Sequence, residues 1–202
     1  MKYANEREYT GIRTSYLVHT PMNPMKLNSA RPIVLILLFN FLLFGIEEVT
    51  AKEPLVVFLV RHAEKADAGN DPELTPSGKM RAMKLAEVLR DSRIEHVHSS
   101  DFIRTRNTAA PIAARLGLKV QHYDPNDLPV LVAKLRKAEG RHLVVGHSNT
   151  TPRAVKLFGG EPGSALYEKS EYDRLYIVTI DEEGEASTVL LRYGKPYVAD
   201  QK

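Results

Sequence analysis

The sequence predicts a three-layer α/β domain built around a mostly parallel central sheet, and two observations carry that expectation. First, short continuous apolar runs alternate with segments of helical period. Strands that are apolar throughout, rather than alternating apolar and polar, are buried on both faces, as parallel strands are. The βαβα order places the helices on the sheet's two sides. Second, two of these runs lead straight into a histidine. Leu55-Val56-Val57-Phe58-Leu59-Val60 ends in Arg61-His62-Ala63-Glu64-Lys65, and Leu143-Val144-Val145 ends in Gly146-His147-Ser148-Asn149. In an open α/β sheet the crevice at the C-terminal ends of the strands is where ligands bind. The fold thus brings two histidines distant in sequence to one mouth.

The elements follow in order. After the strand 55–60, a polar loop runs from Glu64 to Thr75 and carries Gly69, Asn70, Asp71 and Pro72. Thr75-Pro76 opens a helix, with threonine as N-cap and proline in the first helical position. Met80, Met83, Leu85, Ala86 and Leu89 give that helix an apolar stripe. Ile94 to Val97 predicts a second strand ending at Ser99-Ser100-Asp101, and a helix from Phe102 to Leu116 stops at Gly117, a C-cap signal. Leu118 to Tyr123 predicts the third strand, Asp127 to Ala138 a helix, and His142 to Val145 the fourth strand. Thr151-Pro152 starts a further helix that ends at Gly159-Gly160. Arg174 to Ile180 and Ala186 to Arg192 predict an antiparallel pair about the turn Glu182-Glu183-Gly184.

Composition sets the bounds. Of 202 residues, 43% are hydrophobic and 26% charged, ordinary for a globular chain. Residues 52–202 suit one compact domain. The formal charge of +3 is small and no basic block occurs, so nucleic acid is not an expected partner. The absence of cysteine excludes disulfides, thiolate metal sites and a cysteine nucleophile.

The N-terminal region reads differently. Residues 33–46 form the strongest apolar run, too short for a bilayer span of ~20 residues but suited to the apolar core of a signal peptide. Lys26 and Arg31 precede it, and Val49-Thr50-Ala51 places small residues at a cleavage position. Residues 1–51 are therefore expected to be a preface and signal peptide, with Met25 as an alternative start. The expected destination is periplasmic or secreted, with no membrane span after processing. An uncleaved anchor and a buried core helix are the competing readings.

A neutral imidazole at a strand end can attack phosphorus and form a phosphohistidine, which divides hydrolysis into two easier steps. His62 is the candidate nucleophile, against the alternative of a hydrogen-bonded core histidine. Arg61 and Arg104 are candidate phosphate clamps, since forked guanidinium donors match phosphate oxygens. Arg106, two positions on, points to another side of the helix and is expected to be a solvated charge. His147 is expected to hydrogen-bond the phosphate from the opposite wall. Ser148, Asn149 and Thr150 precede a helix start that favours an anion, or serve only as caps.

These residues lie in motifs that resemble those of the histidine phosphatase superfamily, with its phosphoglycerate-mutase-like fold. Arg61-His62-Ala63 is similar to the family's Arg-His-Gly signature, with alanine in place of the glycine. Leu74-Thr75-Pro76-Ser77-Gly78 resembles its Leu-Thr-x-x-Gly helix start, the stretch Ser99 to Ala109 its Ser-x-x-x-Arg-x-x-x-Thr-Ala segment, and Val145-Gly146-His147-Ser148 its second histidine motif. The resemblance covers about 55–160 and implies a phosphatase like the small phosphohistidine-phosphatase-type members. It also supports Arg104 as the phosphate-binding arginine.

No clear counterpart of the mutase branch's catalytic glutamate is present. Asp124 and Asp127 are the expected leaving-group acids, with turn chemistry as the alternative, and Glu64 is a further candidate against a loop salt bridge. His96 and His98 share a strand face, but without a clear third ligand no metal is expected, and no nucleotide fingerprint implies a cofactor. The expected activity is metal-independent phosphomonoester hydrolysis through a phosphohistidine. The expected substrate is a phosphorylated small molecule or an envelope phosphoester, with loops 64–75 and 123–130 and the stretch 159–173 shaping the pocket. A phosphomutase and a phosphate-binding module without turnover remain the alternatives. The pH profile expected is a bell centred at about pH 5–7, its acid arm set by the nucleophile.

Overall fold

The computed structural model describes residues 53–67 and 69–198. The apolar run 33–46 and the expected cleavage site at Ala51 lie outside the described residues. A six-stranded sheet has the order β3-β2-β4-β1-β5-β6. Its strands are β1 (Leu55–Arg61), β2 (His96–Ser100), β3 (Val120–Tyr123), β4 (Arg141–Gly146), β5 (Arg174–Ile180) and β6 (Ala186–Arg192). The first four run parallel to one another, and β5 and β6 are antiparallel additions on the far side of β1. Helices α1 (Pro76–Val88), α2 (Ile103–Leu116), α3 (Leu128–Ala138) and α4 (Thr150–Leu157) connect them. Among the described residues no helix is long and apolar enough to cross a membrane.

Strand β1 is buried along its whole length and divides its side chains between two cores. Val56, Phe58 and Val60 pack with Leu85 of α1 and Ile112 of α2, whereas Leu55, Val57 and Leu59 pack with Leu131 of α3 and Phe158 just after α4. This split explains a strand that reads as continuously apolar: neither face meets water. It also sets the layers, with α1 and α2 on one side and α3 and α4 on the other.

Some expected details are corrected. Met80 and Met83 are exposed, and α1 buries Gly78, Arg81, Ala82, Leu85 and Ala86 instead. That set follows the three-to-four spacing of one helix face, from which Met80 and Met83 are rotated away. Strand β2 begins at His96 rather than Ile94, following a turn in which Arg93 takes a positive φ of 52°. Strand β3 begins at Val120 rather than Leu118, because the left-handed cap at Gly117 folds Leu118 back and its N–H donates to the Ala113 carbonyl at 2.9 Å.

The start of α1 fixes the loop that follows β1. Thr75 Oγ1 accepts from the Gly78 N–H at 3.0 Å, while the Thr75 N–H donates to the Glu64 carbonyl at 2.9 Å. A β-carbon at Gly78 would sit 2.1 Å from that carbonyl oxygen, so only glycine lets the helix approach this closely.

Candidate active site

Strands β2, β4 and β1 are adjacent, and their C-terminal ends deliver Ser100, His147 and His62 to one edge of the sheet. Arg61 stands in register with Gly146, and the His62 N–H donates to the Gly146 carbonyl at 2.8 Å. The two histidines therefore leave neighbouring strands side by side, with ring centroids 5.5 Å apart and edge to face. A β-carbon on Gly146 would come within 3.0 Å of hydroxyls on Thr150, Thr151 and Tyr123, so the turn into His147 depends on a residue without one. Thr150 Oγ1 accepts from the His147 N–H at 2.8 Å, which starts α4 one residue earlier than Thr151.

Each ring has a defined tautomer. His62 Nδ1 lies 2.7 Å from the Ala63 carbonyl, which only accepts, so the proton resides on Nδ1 and Nε2 keeps its lone pair. For His147, Thr105 Oγ1 donates to main-chain carbonyls of Ser100 and Phe102, and Ser100 Oγ donates to Thr105 Oγ1. Ser100 Oγ is left to accept from His147 Nε2 at 2.9 Å. His147 Nδ1 then faces Arg104 Nη2 at 3.4 Å.

Both arginines are held with donors to spare. Arg61 is 2% exposed, donates from Nη1 to the Glu171 carbonyl at 2.9 Å, and lies 4.0 Å over the ring of Tyr172. Arg104 donates from Nη1 to Asp71 at 3.2 Å, and Asp71 also accepts the Ile103 N–H, fastening the loop after β1 to the start of α2. The Nε groups of Arg61 and Arg104 are buried and have no acceptor among the described residues. Two guanidinium donors facing one cleft make an anion site. Arg106 instead pairs with Asp101 on the exposed side of α2.

Burial dominates the electrostatics. It pushes His62 down to about 3, with Arg61, His147 and Arg104 adding to the effect. His147 is lowered to about 4 by burial and by Arg104 and Arg61. Burial also lowers Arg61, against the opposing charges around it. Both imidazoles are thus neutral in the free protein at ordinary pH.

The cleft has a volume of about 710 Å³, and His62, His147, Arg61 and Arg104 share its wall with Lys65, Arg153 and Glu168. The structure does not bring the expected acids there. Asp124 and Asp127 are exposed beside it, while Pro125 and Asn126 between them reach the wall. Asp124 Oδ1 accepts from both nitrogens of Asn126, and Asp127 caps α3 by accepting the Val130 N–H. This is the turn chemistry that competed with an acid role. Glu64 is likewise occupied, with both oxygens bound by Arg81 at 2.8–3.1 Å.

Glu168, Lys65, Arg153, Asp71 and Tyr172 had no chemical signal in the sequence beyond their position in loops at the mouth. His96 and His98 stack with a third ring, His142. There, His142 Nε2 donates to the Glu139 carbonyl and His98 Nε2 donates to His142 Nδ1 at 3.1 Å. Among the described residues no group of three or more His, Cys, Asp or Glu side chains could hold a metal ion.

Comparison with known proteins agrees with this architecture. Residues 57–125 match the model of the histidine phosphatase superfamily (branch 1). Probable phosphoglycerate mutases GpmB of Citrobacter koseri and Yersinia enterocolitica are 38% and 40% identical over 73 residues, or 33% of this chain. The match spans only 34% of the length of those relatives. Among solved structures, the protein histidine phosphatase SixA complexed with tungstate superposes with a TM-score of 0.57 at 23% identity, covering 68% of this chain and 97% of that one. A putative phosphohistidine phosphatase SixA from Agrobacterium tumefaciens gives 0.54 at 22% identity over 71% of this chain and 99% of the other. A mycobacterial glucosyl-3-phosphoglycerate phosphatase gives 0.55 at 16% identity, covering 71% and 100% respectively. The family match over residues 57–125, the motifs it contains and the fold shared with these structures support membership of the histidine phosphatase superfamily.

Proposed function

We propose that the protein is a phosphomonoester phosphatase working through a phosphohistidine at His62, without a metal ion. One observation carries the reading. His62 presents an unprotonated Nε2 to a cleft lined by the buried Arg61 and the half-buried Arg104, each with a buried Nε–H that has no acceptor among the described residues. A phosphoryl group in flight spreads negative charge over its equatorial oxygens, so positioned cations and an in-line nucleophile are what its transfer requires. Arg61 and Arg104 take those oxygens, and His147 contributes a further hydrogen bond when the bound dianion draws a proton to Nδ1. Nε2 of His62 attacks phosphorus, the bond to the alcohol oxygen breaks, and water then displaces the phosphoryl group from the imidazole. Rapid quenching during turnover is expected to trap acid-labile, alkali-stable phosphate on His62. Its absence overturns the mechanism. Inorganic phosphate released into water separates hydrolysis from a mutase reaction, which returns the group to a second position on the substrate.

The substrate in this reading is a hydrophilic phosphoester, because Lys65, Asn126, Ser148, Asn149 and Arg153 dominate the wall around Phe102 and Pro125. Export belongs to the same proposal and rests on the charged, apolar and small-residue succession of residues 25–51. The mature chain is expected to begin at Lys52 and to be recovered outside the cytoplasm. A native N-terminus that retains residues 33–46 overturns cleavage.

A further inference from the structure

We infer that Glu168 is the proton donor to the leaving group, an assignment that rests on the phosphatase reading above. Hydrolysis of an alkyl ester needs a general acid within reach of the departing oxygen. The carboxylates around the cleft are committed elsewhere, with one exception. Glu64 is bound by Arg81. Asp71 is held by Arg104 and the Ile103 N–H. Asp124 and Asp127 shape a turn and a helix cap. Glu171 and Asp173 are buried under Arg174 and Arg192. Glu168 lines the cleft, where it feels the charge of Arg61, and no hydrogen bond or ion pair to another described residue ties its carboxyl group down.

Its placement is built rather than incidental. The Glu171 and Ser170 N–H groups both donate to the Tyr167 carbonyl, closing a tight turn with Glu168 in it. The Tyr167 N–H donates back to Glu171 Oε2 at 2.9 Å, and Arg174 Nε holds the other carboxylate oxygen at 2.6 Å. Tyr167 also stacks on Tyr197 with centroids 5.3 Å apart. The turn is therefore anchored to a buried ion cluster on one side and an aromatic pair on the other. The same segment sends the Glu171 carbonyl and the Tyr172 ring to Arg61, so the acid and the phosphate clamp share one support. His62 is 3% exposed, at the floor of the cleft, and Glu168 is exposed at its mouth. In-line attack from the floor drives the leaving oxygen toward the mouth.

The two steps balance. As Nε2 of His62 bonds to phosphorus, the P–O electron pair leaves with the alcohol oxygen, which takes the proton of the Glu168 carboxyl. In the second step the Glu168 carboxylate takes a proton from the attacking water, the P–N bond breaks, and its pair returns to Nε2. Glu168 ends protonated, and phosphate and alcohol are the products.

Leaving-group dependence tests the assignment. An aryl phosphate with a strongly acidic phenol departs without a proton, whereas an alkyl phosphate does not. Glu168→Gln is expected to lower the single-turnover rate of phosphoryl transfer from an alkyl phosphate to His62 by ~10²–10⁴-fold, while the same step with the aryl ester stays close to the unaltered protein and the shared water step slows for both. Glu168→Asp is expected to restore part of the alkyl activity. Equal losses in the transfer step on both esters, or no loss on either, overturn the role of Glu168. Continued trapping of phosphate on His62 from the aryl ester keeps the phosphatase reading intact in either case. A protein of native sequence inert toward both esters overturns the two proposals together.

Discussion

Two pairs of buried histidines lie on this sheet, His62 with His147 and His98 with His142, and burial lowers the basicity of all four for different ends. His62 and His98 are 3% and 2% exposed, and burial pushes each down to about 3. In the stack of His96, His98 and His142, the inner nitrogens answer one another and the chain ends on the Glu139 carbonyl. At the sheet's edge, His62 gives its one proton to a main-chain oxygen and leaves Nε2 facing the cleft. A perturbed histidine by itself therefore marks burial. What marks a reactive one is a nitrogen with no internal partner opposite cations with donors to spare.

The comparison breaks most directly by exchanging losses between the two groups. His62→Ala is expected to reduce hydrolysis to background while the fold is kept, because the ring sits at a strand end. His98→Ala is expected to leave the chemistry in place and cost about 2–4 kcal/mol of stability through the cavity it opens. Denaturant titration and steady-state rates measured on the same preparations check both. A stable but inactive His98→Ala would put the stack in the catalytic machinery.

Next in size is the pair on α2. Arg104→Ala is expected to lower the rate roughly 30- to 1,000-fold, from a charge-assisted contact worth ~2–4 kcal/mol. Arg106→Ala removes only an exposed ion pair and is expected to change the rate less than about fivefold. Equal effects would mean that the wrong face of α2 meets the phosphate. Ser100→Ala, which removes the acceptor of His147 Nε2, is expected to cost about 1–2 kcal/mol, or roughly 5- to 30-fold in rate. The imidazole nitrogen shifts in ¹⁵N NMR should report the accompanying change of tautomer, and an unaltered His147 spectrum would contradict the tautomer described for it.

Acid separates the two groups last. Four histidines on the sheet are neutral in the fold and lowered by burial: His62, His98, His142 and His147. The unfolded chain takes up protons near pH 6.5, so their stabilising contribution is full above that pH and is lost progressively as pH falls toward about 3. His62 itself remains unprotonated through most of that window. Its protonation thus sets no acid limb near pH 5 in kcat/KM. Activity and thermal stability followed together from pH 7 to pH 4 are expected to show stability weakening before the nucleophile is titrated. A kcat/KM limb between pH 5 and 6 at constant stability, with an ester whose own ionisation lies outside the range, would refute this.

How far the sequence discloses the site depends on what each residue needs from its neighbours. His62, Arg61, His147 and Arg104 follow strand ends or open a helix, and local pattern plus sheet order is enough to bring them together. Strands β5 and β6 match their expected limits because a single turn separates two well-patterned runs. Glu168 and Tyr172 reach the cleft from a turn whose position depends on the buried Glu171, Arg174 and Arg192 cluster, and nothing local encodes that. Asp124 and Asp127 follow a strand as a catalytic acid would, yet their oxygens satisfy nearby N–H groups first. Glu64 stands two residues after His62, but its partner Arg81 lies 17 residues further along the chain, in α1.

Strand β1 lies between β4 and β5, so the strand that carries Arg61 gains its second neighbour only from residues 174–180. Arg81, which grips Glu64, also donates to the carbonyls of Tyr193 and Lys195. Arg61 and His62 therefore belong to a strand whose second neighbour comes from the last thirty or so positions of the chain. Such long-range pairings form late, since loop closure must precede them. If His62 is the nucleophile as proposed, a growing chain carries it early and completes its strand's surroundings only when the C-terminal hairpin docks. A protein threaded across a membrane in extended form would gain its activity on the far side.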